Sequence, residues 1–185
     1  VAPREDQTSD LDHGIRRIRY SVSSDFRSWS QLQFIDMGAD PLDHLYTNAA
    51  TPYLRARGVY MMFPKRFVPE RTFFEDWAQV GQSDIVFSAS RDGVHWDRSF
   101  LEAFVRPGTD SRNWHERALA MGQGMLQTSP EELSLYYFEH TRTDSCRVRR
   151  CTVRTDGFAS MNARFSGGEF VTRPVLFTGT DLYIN

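Results

Sequence analysis

Ser88-Ala89-Ser90-Arg91-Asp92-Gly93-Val94-His95-Trp96 decides the fold, because the chain repeats its pattern. Ser-x-Ser-x-Asp-x-x-x-Trp occurs first at Ser21, Ser23, Asp25 and Trp29, and again at Ser88, Ser90, Asp92 and Trp96. A looser third copy has Thr152, Arg154, Asp156 and Gly157, with Ser160 at the Trp position. The three aspartates are 67 and 64 residues apart, and self-similarity at a near-constant period marks a repeated structural unit. Asp-Gly at 92–93 and 156–157 is hairpin-turn chemistry. The glycine accepts positive φ and the aspartate bonds its own backbone. Trp29 and Trp96 follow the turn, where an indole is expected to cover the bend.

Each copy is preceded by a strand pattern. Ile18, Tyr20 and Val22 alternate on one face, Ile85, Phe87 and Ala89 take the same places in the second copy, and Arg149, Cys151 and Val153 in the third. Period-two alternation predicts a strand with one buried face. Two more strands are expected per unit, at 46–53 and 59–63, then at 118–126 and 133–139. No segment keeps a 3.6 period between breakers for more than about ten residues, so little helix is expected. Four short strands per roughly 65 residues is the sequence form of a propeller blade. The expected fold class is therefore all-β, a partial β-propeller of about two and a half four-stranded blades, the first lacking its two leading strands. Propellers close with four or more blades, so the chain is expected to join the remaining blades of a longer protein or to self-assemble.

Composition bounds the function. Of 185 residues, 40% are hydrophobic and 14% aromatic, too many for a solvated, disordered chain. No apolar run approaches the ~20 residues of a membrane span, so no membrane partner is expected. A net charge of −2 gives no electrostatic reason to seek nucleic acid. Of 22 basic residues all but Lys65 are arginine. Those at 142, 147, 149, 150 and 154 divide between two strand faces and make no basic stripe. The chain opens Val1-Ala2-Pro3 without a signal peptide, which is read as a leader removed or unseen. Cys146 and Cys151 lie roughly 16 Å apart on an extended chain, so a mutual disulfide would require a sharp bend between them. Cys151 is expected to be a buried structural thiol.

The run Ser90-Arg91-Asp92-Gly93-Val94-His95-Trp96 resembles the Asp-box of sialidase-like propellers, S-x-D-x-G-x-x-W, shortened by one residue. The surrounding layout is similar to the five-bladed propellers of glycoside hydrolase families 32 and 43, above all bacterial relatives with a C-terminal β-sandwich. The runs that match are 61–67, 83–87, 92–96 and 154–158, and the tail 167–174 through 182–185 resembles the passage from last blade to sandwich. The resemblance implies later blades over 1–166, an exit strand over 167–185, a carbohydrate ligand, and a secreted or periplasmic location. The Trp-Met-Asn-Asp-Pro, Arg-Asp-Pro and Glu-Cys signatures of invertase-type members are absent.

If the Asp-Gly turns lie at one end of each unit, the segments 40–44, 65–84, 107–117 and 139–145 collect at the other. Glycoside hydrolysis needs two carboxyl groups, about 5–5.5 Å apart for retention or about 6.5–9.5 Å for inversion. Glu116, then Asp43, then Asp84 are the catalytic candidates, all beside predicted strand starts. Glu116 beside Arg117 also reads as a structural ion pair at a blade junction. His44, Arg66, Trp77, Trp114, His115 and Arg117 are the candidates for binding a sugar. The segment 64–84, with Phe73, Phe74 and Trp77, is long for a loop in a compact domain, and such loops usually carry function. The five histidines have no zinc spacing, and neither a G-x-S-x-G elbow nor a phosphate loop is present, so no metal or cofactor is expected. The expected function is a glycoside hydrolase-like propeller acting on a polysaccharide or oligosaccharide through paired carboxylates. The alternative is a non-catalytic carbohydrate- or protein-binding propeller module.

Overall fold

The computed structural model describes residues 14–38, 43–100 and 102–181. They form an all-β arrangement of antiparallel sheets, none of them closed. β1 (Arg19–Tyr20) and β2 (Gln33–Phe34) make a two-stranded ladder, Arg19 opposite Phe34. This first strand is shorter than its alternation predicts, because side chains take over near the turn. Ser21 Oγ donates to the Ser30 carbonyl, and Val22 N–H donates to Ser30 Oγ.

Eight short strands follow: β3 (His44–Tyr46), β4 (Thr51–Pro52), β5 (Tyr60–Met62), β6 (Lys65–Val68), β7 (Gln82–Val86), β8 (Ser88–Ser90), β9 (Trp96–Asp97) and β10 (Ala103–Val105). Their sheet orders, β10-β7-β6-β3 and β4-β5-β8-β9, trace one four-stranded meander in which every strand is broken midway. Pro64 interrupts β5–β6 because it has no N–H to give to a ladder. Its carbonyl accepts from Val86 N–H at 3.0 Å, and the pairing continues from Tyr60 opposite Ser90 to Lys65 opposite Ile85. The first strand bends where Thr47 and Ala49 adopt positive φ.

A third sheet follows α1 (Arg112–His115), the one helix among the described residues. β11 (Ala120–Met121) and β12 (Leu126–Ser129) pair with one side of β13 (Glu132–Glu139), and β14 (Arg147–Arg154) with the other. The central meander is covered on both faces. Met61, Phe63 and Ile85 pack with Leu119, Met121, Leu133 and Leu135 of the third sheet. Met62 and Trp96, on the opposite face, pack with Ile35. Burial on both sides explains why all five residues of β7 are buried. Cys151 is half-buried at the rim of the larger core, with its thiol pushed up by burial, and Cys146 is exposed; both are free.

The repeated turns share the same serine and backbone bonds to the aspartate in two copies. Ser23 and Ser90 Oγ each donate to the carboxylate two residues on, at 3.1 Å. Asp25 Oδ1 accepts from the Arg27 and Ser28 N–H groups, and Asp92 Oδ1 from Val94 and His95, all at 2.8 Å. Those backbone donors hold the Asp25 carboxyl below the usual range. For Asp92 the His95 side chain contributes most to the same effect. The covering indole is found only in the second copy, where Trp96 Nε1 donates to the Gly93 carbonyl. Trp29 is exposed instead and leans edge-on against Phe26.

The third turn is different. Positive φ falls on Asp156 and not on Gly157, because Arg154 replaces the serine that would hold the carboxylate. Asp156 turns across to the central sheet, where it accepts from the Tyr53 hydroxyl and from Arg55 Nε. The described residues 168–181 carry no strand.

Candidate functional site

At the end of the sheets away from the turns, cross-strand register sets the chemistry. Leu45, Arg66 and Asp84 face one another across β3, β6 and β7, so their side chains share one face. Asp84 is fully buried. Its Oδ1 accepts from Arg66 Nε at 3.0 Å, and its Oδ2 accepts from Arg66 at 2.7 Å and Arg71 at 2.9 Å. Burial opposes charge on Arg66, and the bond and charge of Asp84 outweigh it, raising the guanidinium above its ordinary value.

These groups floor a cleft of about 490 Å³ walled by Glu102, Ala103, Arg106, Pro107, Gly108 and Trp114. Arg106 and Glu102 pair loosely at its rim, 3.6 Å apart. Trp114 is nearly buried, its Nε1 donating to the Gly108 carbonyl, and Phe73 packs against its ring at 5.1 Å. Trp77 meets Phe73 and Phe74 edge-on and the two phenylalanine rings lie tilted to each other, so the aromatic residues of the long segment cluster together with Phe74 still half exposed. Trp77 adjoins the cleft through Phe73 and does not line it.

The other sequence candidates lie elsewhere. Asp43 is ion-paired with Arg98 in a neighbouring depression of about 260 Å³. His44 is opposite Phe67, whose edge it meets, on the face away from Arg66. Glu116 does not pair with Arg117; its nearest cation is Arg142, at 3.6 Å, with His115 at 3.9 Å. Arg117 has positive φ, which turns its guanidinium back to the Val80 carbonyl, pinning the end of the long loop. The structure thus gathers Asp84, Arg66 and Trp114 in one cleft and leaves Asp43, His44, His115, Glu116 and Arg117 outside its lining.

Sequence reasoning missed Arg71, Glu102 and Arg106. It also missed the buried connector beneath the cleft. His140 bonds Asp110 through Nε2 at 3.0 Å and meets Ser145 Oγ through Nδ1 at 3.0 Å. Asn113 accepts from the His140 N–H and donates to the Pro107 carbonyl. Arg112 and His140 together hold Asp110 well below the usual carboxylate range, Arg112 contributing more. Among the described residues no cluster of three metal-ligating side chains occurs, and no helix is long and apolar enough to cross a membrane. No protein family, curated protein or solved structure matches the chain.

Proposed function

We infer that the chain is a carbohydrate-binding module built from consecutive β-propeller blades, with the Arg66–Arg71–Arg106–Trp114 cleft as its ligand site. The observation that carries this reading is the occupation of the carboxylates. Asp84, Asp43 and Glu116 each face an arginine, and both oxygens of Asp84 are taken by guanidinium donors. A carboxylate held this way anchors arginines and does not offer a glycosidic oxygen the acid that hydrolysis needs. Arginine forks with an aromatic wall suit sugar hydroxyls and ring oxygens instead. The blade reading is supported by the meander, by the two matching turns, and by the sheets packed on each of its faces.

The test is a panel of soluble plant and microbial oligosaccharides offered to the protein by calorimetry, with reducing ends assayed in parallel. Binding without release is expected. Arg71→Ala should weaken it about tenfold or more, the usual cost of a lost charged hydrogen bond. Failure of every glycan to bind overturns the proposal. Release of reducing ends that Glu116→Gln abolishes would replace it with the hydrolase.

A further inference from the structure

The charges that line the cleft do not cancel. Arg66, Arg71 and Arg106 stand there against two carboxylates, Asp84 and Glu102. Asp43, which also acts on Arg66 through space, is matched by Arg98 outside the cleft lining. One positive charge is left over, and the hydrogen bonds show where it sits.

Arg66 donates to both oxygens of Asp84 as a fork, and Arg71 donates to Oδ2 as well. A single buried carboxylate thus serves two guanidinium groups whose side chains are largely covered. Arg71 gives Asp84 its Nη2 alone, and among the described residues its Nε and Nη1 meet no acceptor. At the rim, Arg106 and Glu102 are 70% and 92% exposed and stand 3.6 Å apart, so water screens that pair. The excess charge therefore belongs to the Arg66–Arg71–Asp84 cluster, in a place where an unmatched charge is costly.

Arg71 is held before any ligand arrives. Its N–H donates to the Val68 carbonyl, and its carbonyl accepts from Gly81 N–H at 2.8 Å, which pins the backbone where the long loop closes. A guanidinium fixed by its backbone and by one carboxylate oxygen presents its remaining N–H groups at little entropic cost. Trp114 supplies the wall. Its indole N–H is spent on the Gly108 carbonyl, so it offers the cleft ring surface and no donor.

We propose that the cleft takes an acidic saccharide, a sugar whose carboxylate pairs with Arg71 at the floor, held further by Arg106 at the rim, with its ring along Trp114. This rests on the carbohydrate reading and narrows it to uronic acids. A planar carboxylate matches a guanidinium fork through two parallel bonds. A neutral sugar leaves the excess charge of the floor uncompensated, so the anion is the preferred guest.

Oligosaccharides of galacturonic and of glucuronic acid are titrated into the protein by calorimetry. Each is run beside its carboxyl-reduced form, and beside that form sulfated on the new primary alcohols. The uronates should bind at least about ten times more tightly than their reduced forms, the factor expected of one charged hydrogen bond. Arg71→Gln should bring that ratio below about threefold. Arg106→Ala leaves Asp84 and its two arginines untouched, and should cut the ratio at least by about half even if the Arg71 variant unfolds. A ratio that neither variant lowers overturns the proposal, as do equal affinities for uronate and reduced form. Tighter binding of the sulfated form overturns it in favour of a sulfate ester. If neutral glycans bind and every uronate fails, the proposal falls and the carbohydrate reading stands. If no glycan binds at all, that reading has failed with it.

Discussion

Asp84→Ala removes the carboxylate on which two guanidinium groups converge. The side chain of Asp84 is 0% exposed, that of Arg66 14% and that of Arg71 29%. Breaking a buried ion pair from one side costs about 3–5 kcal/mol, because the remaining charge stays in a poorly solvated place. Arg66 bears most of that penalty; Arg71, more exposed, adds less. With a urea slope near 2 kcal/mol/M for a small domain, the unfolding midpoint should fall by about 2 M. Asp84→Asn keeps the volume and loses the charge, so a similar fall in both variants would assign the effect to the ion pair and not to packing. The assay is equilibrium urea unfolding followed by Trp fluorescence. A loss below about 1 kcal/mol, the level of a solvent-screened pair, would refute the placing of Asp84 as the anchor of the cleft.

Three further outcomes are expected. Leu133→Ala, at a fully buried position between the central and third sheets, should cost about 2–5 kcal/mol by the same urea assay. The Tyr53 phenol is pushed up to about 12, first by burial and then by its bond to Asp156. The folded state therefore holds that proton longer than the unfolded chain does. The stabilisation is complete below pH 10 and fades as pH rises toward about 12. Tyr53→Phe should flatten that alkaline slope in pH-dependent melting. Gly81 has φ +92°, and a Cβ there would stand 2.3 Å from Phe67 Cζ. Gly81→Ala should lower the melting temperature and raise the proteolytic sensitivity of the 69–81 loop, and an unchanged digestion pattern would count against tight packing of that loop end.

What the sequence makes legible is local. Ser90, Asp92 and Trp96 bond within their own seven residues, so their spacing alone declares the turn. Alternation at Ile85 and Phe87 likewise announces a strand. The breaks in the central strands were harder to read, since Pro64 interrupts a ladder that resumes through its own carbonyl. The third turn misled because Asp156-Gly157 looks like Asp92-Gly93, and the decisive change is the serine lost at 154.

The cleft was least legible of all. Asp84 meets Arg66 and Arg71 across 18 and 13 residues, through a register fixed by the length of the intervening loop, for which no residue pattern codes. Arg106 arrives from yet another strand end. Glu116 looked like the partner of its neighbour Arg117. A left-handed backbone at Arg117 sends the two side chains to different places.

The contact of Asp156 with Tyr53 and Arg55 bears on the order in which the chain assembles. Each of the four broken strands of the central meander pairs with the next one along the chain, so that sheet can form as soon as residue 105 is available. The Tyr53–Asp156 bond spans 103 residues and must wait for nearly the whole described chain. The Met61, Phe63 and Ile85 face stays bare until Leu119, Met121, Leu133 and Leu135 follow. During synthesis the molecule passes through a stage with a finished sheet and a bare apolar side, the kind of species that chaperones hold or that aggregates. The Tyr53–Asp156 bond then ties the third turn to the central sheet, a contact across the chain that its two self-contained counterparts lack.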